Sequence, residues 1–201
     1  ENIFAAGYYR LPIVMIAVNR TLGPPWNIWV DQGDSLMFRD AAWIQFYTDS
    51  HQDLVATILL AFRVAEDKRI LLPVVVAMDG FVTSHTQMVV ELPEQEQVDR
   101  YLPACEVPHR LRHDHPATVG GMTWPRETAH HRREIQNAMD RVPEVLYQAI
   151  DEFAEVFGRR PVGALETEFT EDAKTVLIAC NTMARTLRRA GLARRERGQH
   201  V

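Results

Sequence analysis

Two apolar runs, Pro12-Ile13-Val14-Met15-Ile16-Ala17-Val18 and Leu72-Pro73-Val74-Val75-Val76-Ala77-Met78, constrain this chain more than any other feature. Neither alternates apolar with polar residues. A strand written this way has both faces covered, the condition of a parallel sheet flanked by helices. Trp43-Ile44-Gln45-Phe46-Tyr47 adds a shorter strand with aromatic and β-branched content. It is followed by 51–67, where Leu54, Ile58, Phe62 and Ala65 recur at helical spacing beside Val55 and Leu59. Asp49 or Ser50 can N-cap that helix. Strand, turn, strand, helix, strand predicts an α/β fold with parallel members.

The flanking segments extend this plan. Glu1 to Gly7 reads as the end of a helix with Gly7 as its C-cap, and with no initiator methionine the chain is expected to be a fragment of a longer protein. Residues 35–40 suit a short helical turn, and the acidic stretch 91–102 a short helix near 94–101. Residues 103–125 hold Pro103, Pro108, Pro116, Pro125 and Gly120-Gly121 and read as an extended linker. In 126–157, Ile135, Met139, Val142, Leu146, Ile150, Phe153 and Phe157 form one apolar stripe. Pro143 should kink or divide that helix, and Gly158 can cap it. Thr175 to Cys180 reads as a new strand, with Asn181 capping a helix over 182–190 and a basic, frayed tail after it. The resulting domain plan is 1–102, a linker and long helical segment over 103–170, and the incomplete start of a second α/β domain over 171–201.

The bulk properties exclude several classes. A net charge of −5 gives no general reason to expect nucleic-acid binding. No apolar run is long enough to cross a bilayer, and the first residues lack a signal-peptide pattern. Cys105 and Cys180 form no CxxC pair and suit a reducing compartment, hence a cytoplasmic expectation. Neither GxGxxG nor GxxxxGK[ST] occurs, so no Rossmann dinucleotide site and no P-loop is written here.

Candidate chemistry gathers at two strand ends. Ligands of open α/β sheets bind beyond the carboxyl ends of the strands. Asn19-Arg20 and Asp79-Gly80 follow two such ends and share a rim if the strands are parallel. The Arg20 guanidinium is a planar fork suited to carboxylate or phosphate. The alternative is an ion pair with Asp31 or Asp34 in its own loop, which also carries Gly23-Pro24-Pro25, Trp26 and Trp29. That loop, 19–34, is long for a connection, as functional loops often are. Asp79-Gly80 is a common turn pair because glycine tolerates positive φ. Ser84-His85 could suggest nucleophile and base, but neighbours in sequence rarely present their side chains to each other, and no glycine-flanked serine elbow is present. His109, His113, His115, His130 and His131 cluster in sequence without the spacing of a zinc site, which favours a solvated linker over a metal hydrolase.

Three segments carry a family resemblance. "RLPIVMIAVNR", "NIWVDQGDSLMFRDAAWIQFYTDSHQDLVATILLAFRVAED" and "LLPVVVAMDGFVTSHT" together resemble the α subunit of 2-oxoacid:ferredoxin oxidoreductases, with the pyruvate enzyme nearest in pattern. The resemblance implies the pyrimidine-binding domain of a thiamine diphosphate enzyme that oxidatively decarboxylates a 2-oxoacid. In that family electrons pass through iron–sulfur clusters to ferredoxin, and coenzyme A takes the acyl group. Carried over by position, Arg20 faces the substrate carboxylate. Asn19, Asp31, Gln32, Asp34 and Arg39 support the active-site mouth or a subunit contact, and Asp79, Gly80, Ser84 and His85 hold loop geometry at the rim. The family's activating glutamate and substrate-contacting threonine are expected upstream of this chain, which should then be inactive alone. Magnesium and the diphosphate site are expected on a β subunit, and iron–sulfur clusters on partner chains that include γ/δ-type subunits. No metal site is expected here. The alternatives are a subunit for another 2-oxoacid (branched-chain or oxalate) and a truncated, non-catalytic interaction module.

Overall fold

The computed structural model describes residues 1–108 and 110–200, so His109 lies outside the described residues. The chain runs α1 (Asn2–Tyr8), β1 (Val14–Asn19), α2 (Gly33–Leu36), β2 (Ile44–Tyr47), α3 (His51–Ala65), β3 (Val74–Asp79), α4 (Gln95–Tyr101), α5 (Pro125–Asp140), α6 (Val142–Phe157) and α7 (Thr182–Arg195). The three strands form a parallel sheet in the order β1-β3-β2. Val14 and Ile44 both lie in register with Val74, so the strands end nearly level: Asn19 pairs with Asp79, and Tyr47 with Ala77.

The α/β expectation holds, with β3 as the central strand, buried at every residue from Val74 to Asp79. On one face Val74, Val76 and Ile44 join the large core, together with α3 and α6. On the other, Val75 packs with Ala6, Phe38, Ala41 and Trp43. The edge strand β1 departs from the expectation of two covered faces. Ile16 is 47% and Val18 44% exposed, although α3 touches β1 as well as β3.

Ser50 caps α3 by accepting from the Asp53 N–H at 3.2 Å. The buried face of α3 is Ala56, Leu60, Ala61, Val64 and Ala65, rotated from the expected stripe; Ile58 and Phe62 are only half-buried. Apolar residues almost encircle this helix, and the face with small residues is the one buried against the core. Gly7 is not a C-cap. It lies inside α1, where a Cβ would stand 1.9 Å from the Ala41 carbonyl oxygen, so only glycine permits that approach.

The long helical stretch is divided as Pro143 requires: α5 and α6 meet at Arg141, and Gly158 closes α6 with φ +69°. Ile135, Val142, Leu146, Ile150 and Phe153 are buried in one core, with Met139 and Phe157 packed against it. Tyr101 of α4 meets Phe153 edge-on at 5.4 Å and donates its hydroxyl to the Ala149 carbonyl at 3.0 Å. The expected strand at 175–180 is absent; these residues join no ladder and pass the body of the domain as irregular chain. The helix after them is real and longer than expected. Rather than fraying, it continues to Arg195, whose guanidinium reaches the Phe169 carbonyl and Asp172 at 2.6 Å each.

Candidate functional site at the carboxyl rim

The level strand ends bring the β1 and β3 exits together. The Gly80 N–H donates to the Asn19 carbonyl at 2.8 Å. A Cβ on Gly80 would lie 2.6 Å from that oxygen and 2.9 Å from the Ile28 carbonyl oxygen. Glycine is therefore required by close approach of two backbones. The positive φ expected of Gly80 falls instead on Phe81, at +62°.

Arg20 stands exposed on this rim. Its backbone N–H donates to Asp34 Oδ2 at 3.0 Å, so the acidic loop binds the Arg20 main chain rather than its charge. The guanidinium donates through Nη1 to the Thr21 carbonyl at 2.9 Å and lies 5.5 Å from the centre of the Trp26 ring. Among the described residues no carboxylate forms an ion pair with it. The loop alternative, pairing with Asp31 or Asp34, is not what forms.

Beneath Arg20 is a buried polar network. Asn19 Nδ2 donates to Gln32 Oε1 and, at 2.9 Å, to Ser35 Oγ. The Ser35 hydroxyl lies 3.2 Å from the Gln32 carbonyl and from the Tyr47 hydroxyl, which donates to Gln45 Oε1 at 2.8 Å. Gln45 returns a bond to the Ser35 carbonyl at 3.1 Å. Gln32 is thus joined to the rim. Asp31 acts locally, its Oδ1 accepting from the Gly33 N–H at 2.7 Å. Arg39 pairs with Asp40 at 3.4 Å, with both side chains exposed. Sequence reasoning missed Ser35, Gln45 and Tyr47, which lie on a short turn and a four-residue strand with no motif to mark them.

Asp79 is almost fully buried and serves the C-terminal helix. Its Oδ2 accepts from the Thr182 N–H at 3.0 Å and from the Thr182 hydroxyl. Asn181, expected to cap α7, makes no side-chain cap. Its Nδ2 donates instead to the Thr48 and Ala77 carbonyls at 3.1 and 3.0 Å. Asp79 thus takes the place at the α7 N-terminus, where the helix dipole favours a carboxylate, while the Asn181 side chain is engaged with the strand ends.

Ser84 and His85 do present their side chains to each other. Ser84 Oγ lies 2.8 Å from His85 Nδ1 and also accepts from the Phe81 N–H at 3.0 Å. Those bonds hold a turn. The ring of Phe81 stacks on Trp29 at 5.0 Å and on His85 at 5.6 Å, tying the β1 loop to the β3 loop. In the linker, Asp114 pairs with Arg112 while His113 and His115 are exposed. Among the described residues no group of three or more His, Cys, Asp and Glu could hold a metal ion. Cys105 and Cys180 are both free. Burial, with nearby Asp79, pushes the Cys180 thiol above its ordinary value.

The rim can therefore offer an exposed guanidinium and aromatic faces to a small anion, above a polar network bonded within itself. Residues 1–151 match the family described as "Pyruvate flavodoxin/ferredoxin oxidoreductase, thiamine diP-bdg". The whole chain is 39% identical to the pyruvate synthase subunit PorA of Methanothermobacter thermautotrophicus, covering 52% of that protein. It is 39% identical to PorA of Pyrococcus furiosus, covering 51% of it. It is 37% identical to the ketoisovalerate oxidoreductase subunit VorA of Pyrococcus horikoshii, again covering 51%. The chain spans about half the length of these curated relatives.

Proposed function

We propose, because this chain belongs to the pyruvate flavodoxin/ferredoxin oxidoreductase family through its thiamine diphosphate-binding region, that it is part of an α-type subunit using pyruvate. The reaction is oxidative decarboxylation to acetyl-coenzyme A, with electrons delivered to ferredoxin. The observation that supports this reading is the Arg20 guanidinium, carried to the carboxyl rim of a parallel sheet and paired with no carboxylate among the described residues. An arginine fork there suits the carboxylate of a small 2-oxoacid. 2-Oxoisovalerate is the nearest competing substrate, favoured by the likeness to ketoisovalerate oxidoreductase subunits.

Thiamine diphosphate, when bound, supplies the electron sink for decarboxylation. The donors of this rim fit the substrate carboxylate. They do not fit the metal–diphosphate end of the cofactor, because no cluster of metal-ligating side chains is present among the described residues. We assign magnesium and the diphosphate to a β subunit, and the iron–sulfur clusters to further γ/δ-type partner chains. Within this chain, Asn19, Asp31, Gln32 and Asp34 support the Arg20 loop, Asp79, Gly80, Ser84 and His85 shape the opposing loop, and Arg39 faces a subunit contact. The proposed domain plan is 1–102, 103–170 and 171–201. No helix among the described residues is long and apolar enough to cross a membrane. We place the enzyme in the cytoplasm.

The test is Arg20→Ala in the complete multisubunit enzyme, with pyruvate and 2-oxoisovalerate compared. A charge-assisted contact predicts a fall in kcat/KM of about 10- to 100-fold with thiamine diphosphate affinity kept. Unchanged kinetics with both oxoacids would remove the anchor.

A further inference from the structure

We infer that Trp26 is the positioning residue for Arg20: its indole face carries the guanidinium and keeps the fork presented to the oxoacid carboxylate. The inference rests on the carboxylate-anchor reading above. An exposed arginine with no ion-pair partner among the described residues would ordinarily sample many rotamers. Two contacts restrict this one, the bond from Nη1 to the Thr21 carbonyl at 2.9 Å and the Trp26 ring 5.5 Å from Cζ. Indole is the strongest of the natural aromatic partners for a guanidinium. The two kinds of contact also leave room for a third. A ring takes the face of the guanidinium, whereas a carboxylate takes N–H donors in its plane, so holding and binding do not compete.

The loop that carries the indole is itself anchored. Prolines at 24 and 25 restrict the chain just before Trp26. Just after it, Asn27 Oδ1 accepts from the Thr21 hydroxyl at 3.2 Å and from the Trp29 N–H at 3.0 Å, closing the loop across Trp26. Trp29 is committed elsewhere, stacked on Phe81. Trp26 is 61% exposed, so core packing does not account for a large ring at this place. Its ring lies under the Arg20 guanidinium.

The experiment uses the complete multisubunit enzyme with pyruvate as the varied substrate. Trp26→Ala and Trp26→Leu should each raise KM about two- to fivefold with kcat nearly unchanged, the scale of an exposed cation–π contact. Trp26→Phe, which keeps a ring face, should recover most of the loss. Leucine keeps apolar bulk without a π face, so it separates stacking from filling. In an Arg20→Ala background, Trp26→Leu should cost nothing further, because the pair acts as a unit. If Arg20→Ala leaves KM unaltered, the anchor reading fails and positioning goes with it. If Arg20→Ala raises KM but Trp26→Leu does not, or costs as much with Arg20 absent, the positioning role alone is overturned.

Discussion

Asp79 Oδ2 accepts hydrogen bonds from both the backbone N–H and the hydroxyl of Thr182. The last residue of the central strand thereby caps a helix that begins 103 residues later. The cap joins the C-terminal segment to the same rim that presents Arg20. Removing a helix cap costs about 1 kcal/mol, and stripping buried donors of their acceptor about 1–3 kcal/mol. Asp79→Ala should therefore loosen α7 selectively. Hydrogen exchange of the first-turn amides of α7 is the readout, with β3 amides as the internal control. Equal protection of α7 in both proteins would show that the cap does not hold it.

Gly80→Ala should damage the rim by a different route. The new methyl would meet two backbone oxygens, those of Asn19 and Ile28, and neither can swing away as a side chain could. Overpacking of this kind costs about 1–3 kcal/mol. A lower melting temperature, with the Trp29–Phe81 stack disturbed in the near-ultraviolet spectrum, is the expected result. A variant as stable as the parent would mean that the two loops separate freely.

These two residues show where the sequence was legible and where it was not. The strand cores, the Ser50 cap, the Pro143 break and the Gly158 cap could be read because each rests on neighbours in the chain. The DG pair marked a turn correctly, but its glycine answers to backbones reached through folding, and its aspartate to a helix at the far end. The 175–180 segment has strand composition yet joins no ladder. Arg20 could be located from the sequence. Its freedom from Asp34 could not, because whether a carboxylate binds a side chain or a backbone N–H depends on loop geometry.

Phe153 is the test of the helical layer. It is fully buried in α6, with Tyr101 edge-on at 5.4 Å and Phe157 at 4.3 Å. Phe153→Ala should cost about 3–5 kcal/mol, the transfer loss plus the cavity left behind. Phe153→Leu should cost less, since it refills most of the volume. Equilibrium denaturation distinguishes the two; equal, small losses would mean that α6 shifts to close the gap.

Acid should weaken the junction between the α3–β3 turn and α6. The hydrogen bonds from Arg69 hold the Asp67 carboxyl below its ordinary range, outweighing a smaller upward push from burial. Arg69 also reaches Glu144 at 3.3 Å and Gln148 at 2.8 Å on α6, so the cluster bridges two elements. A lowered folded-state pKa contributes stability that is present above the unfolded value, near pH 4, and is lost as pH falls through the folded value. The Arg69 side chain is 41% exposed, so the contribution should be at most about 1 kcal/mol. Asp67→Asn should thus lower stability at pH 7 by that amount, and the penalty should shrink toward pH 2 as acid protonates Asp67. Denaturation curves at the two pH values check this, and a penalty that persists undiminished at pH 2 would assign Asp67 a packing role instead of a charged one.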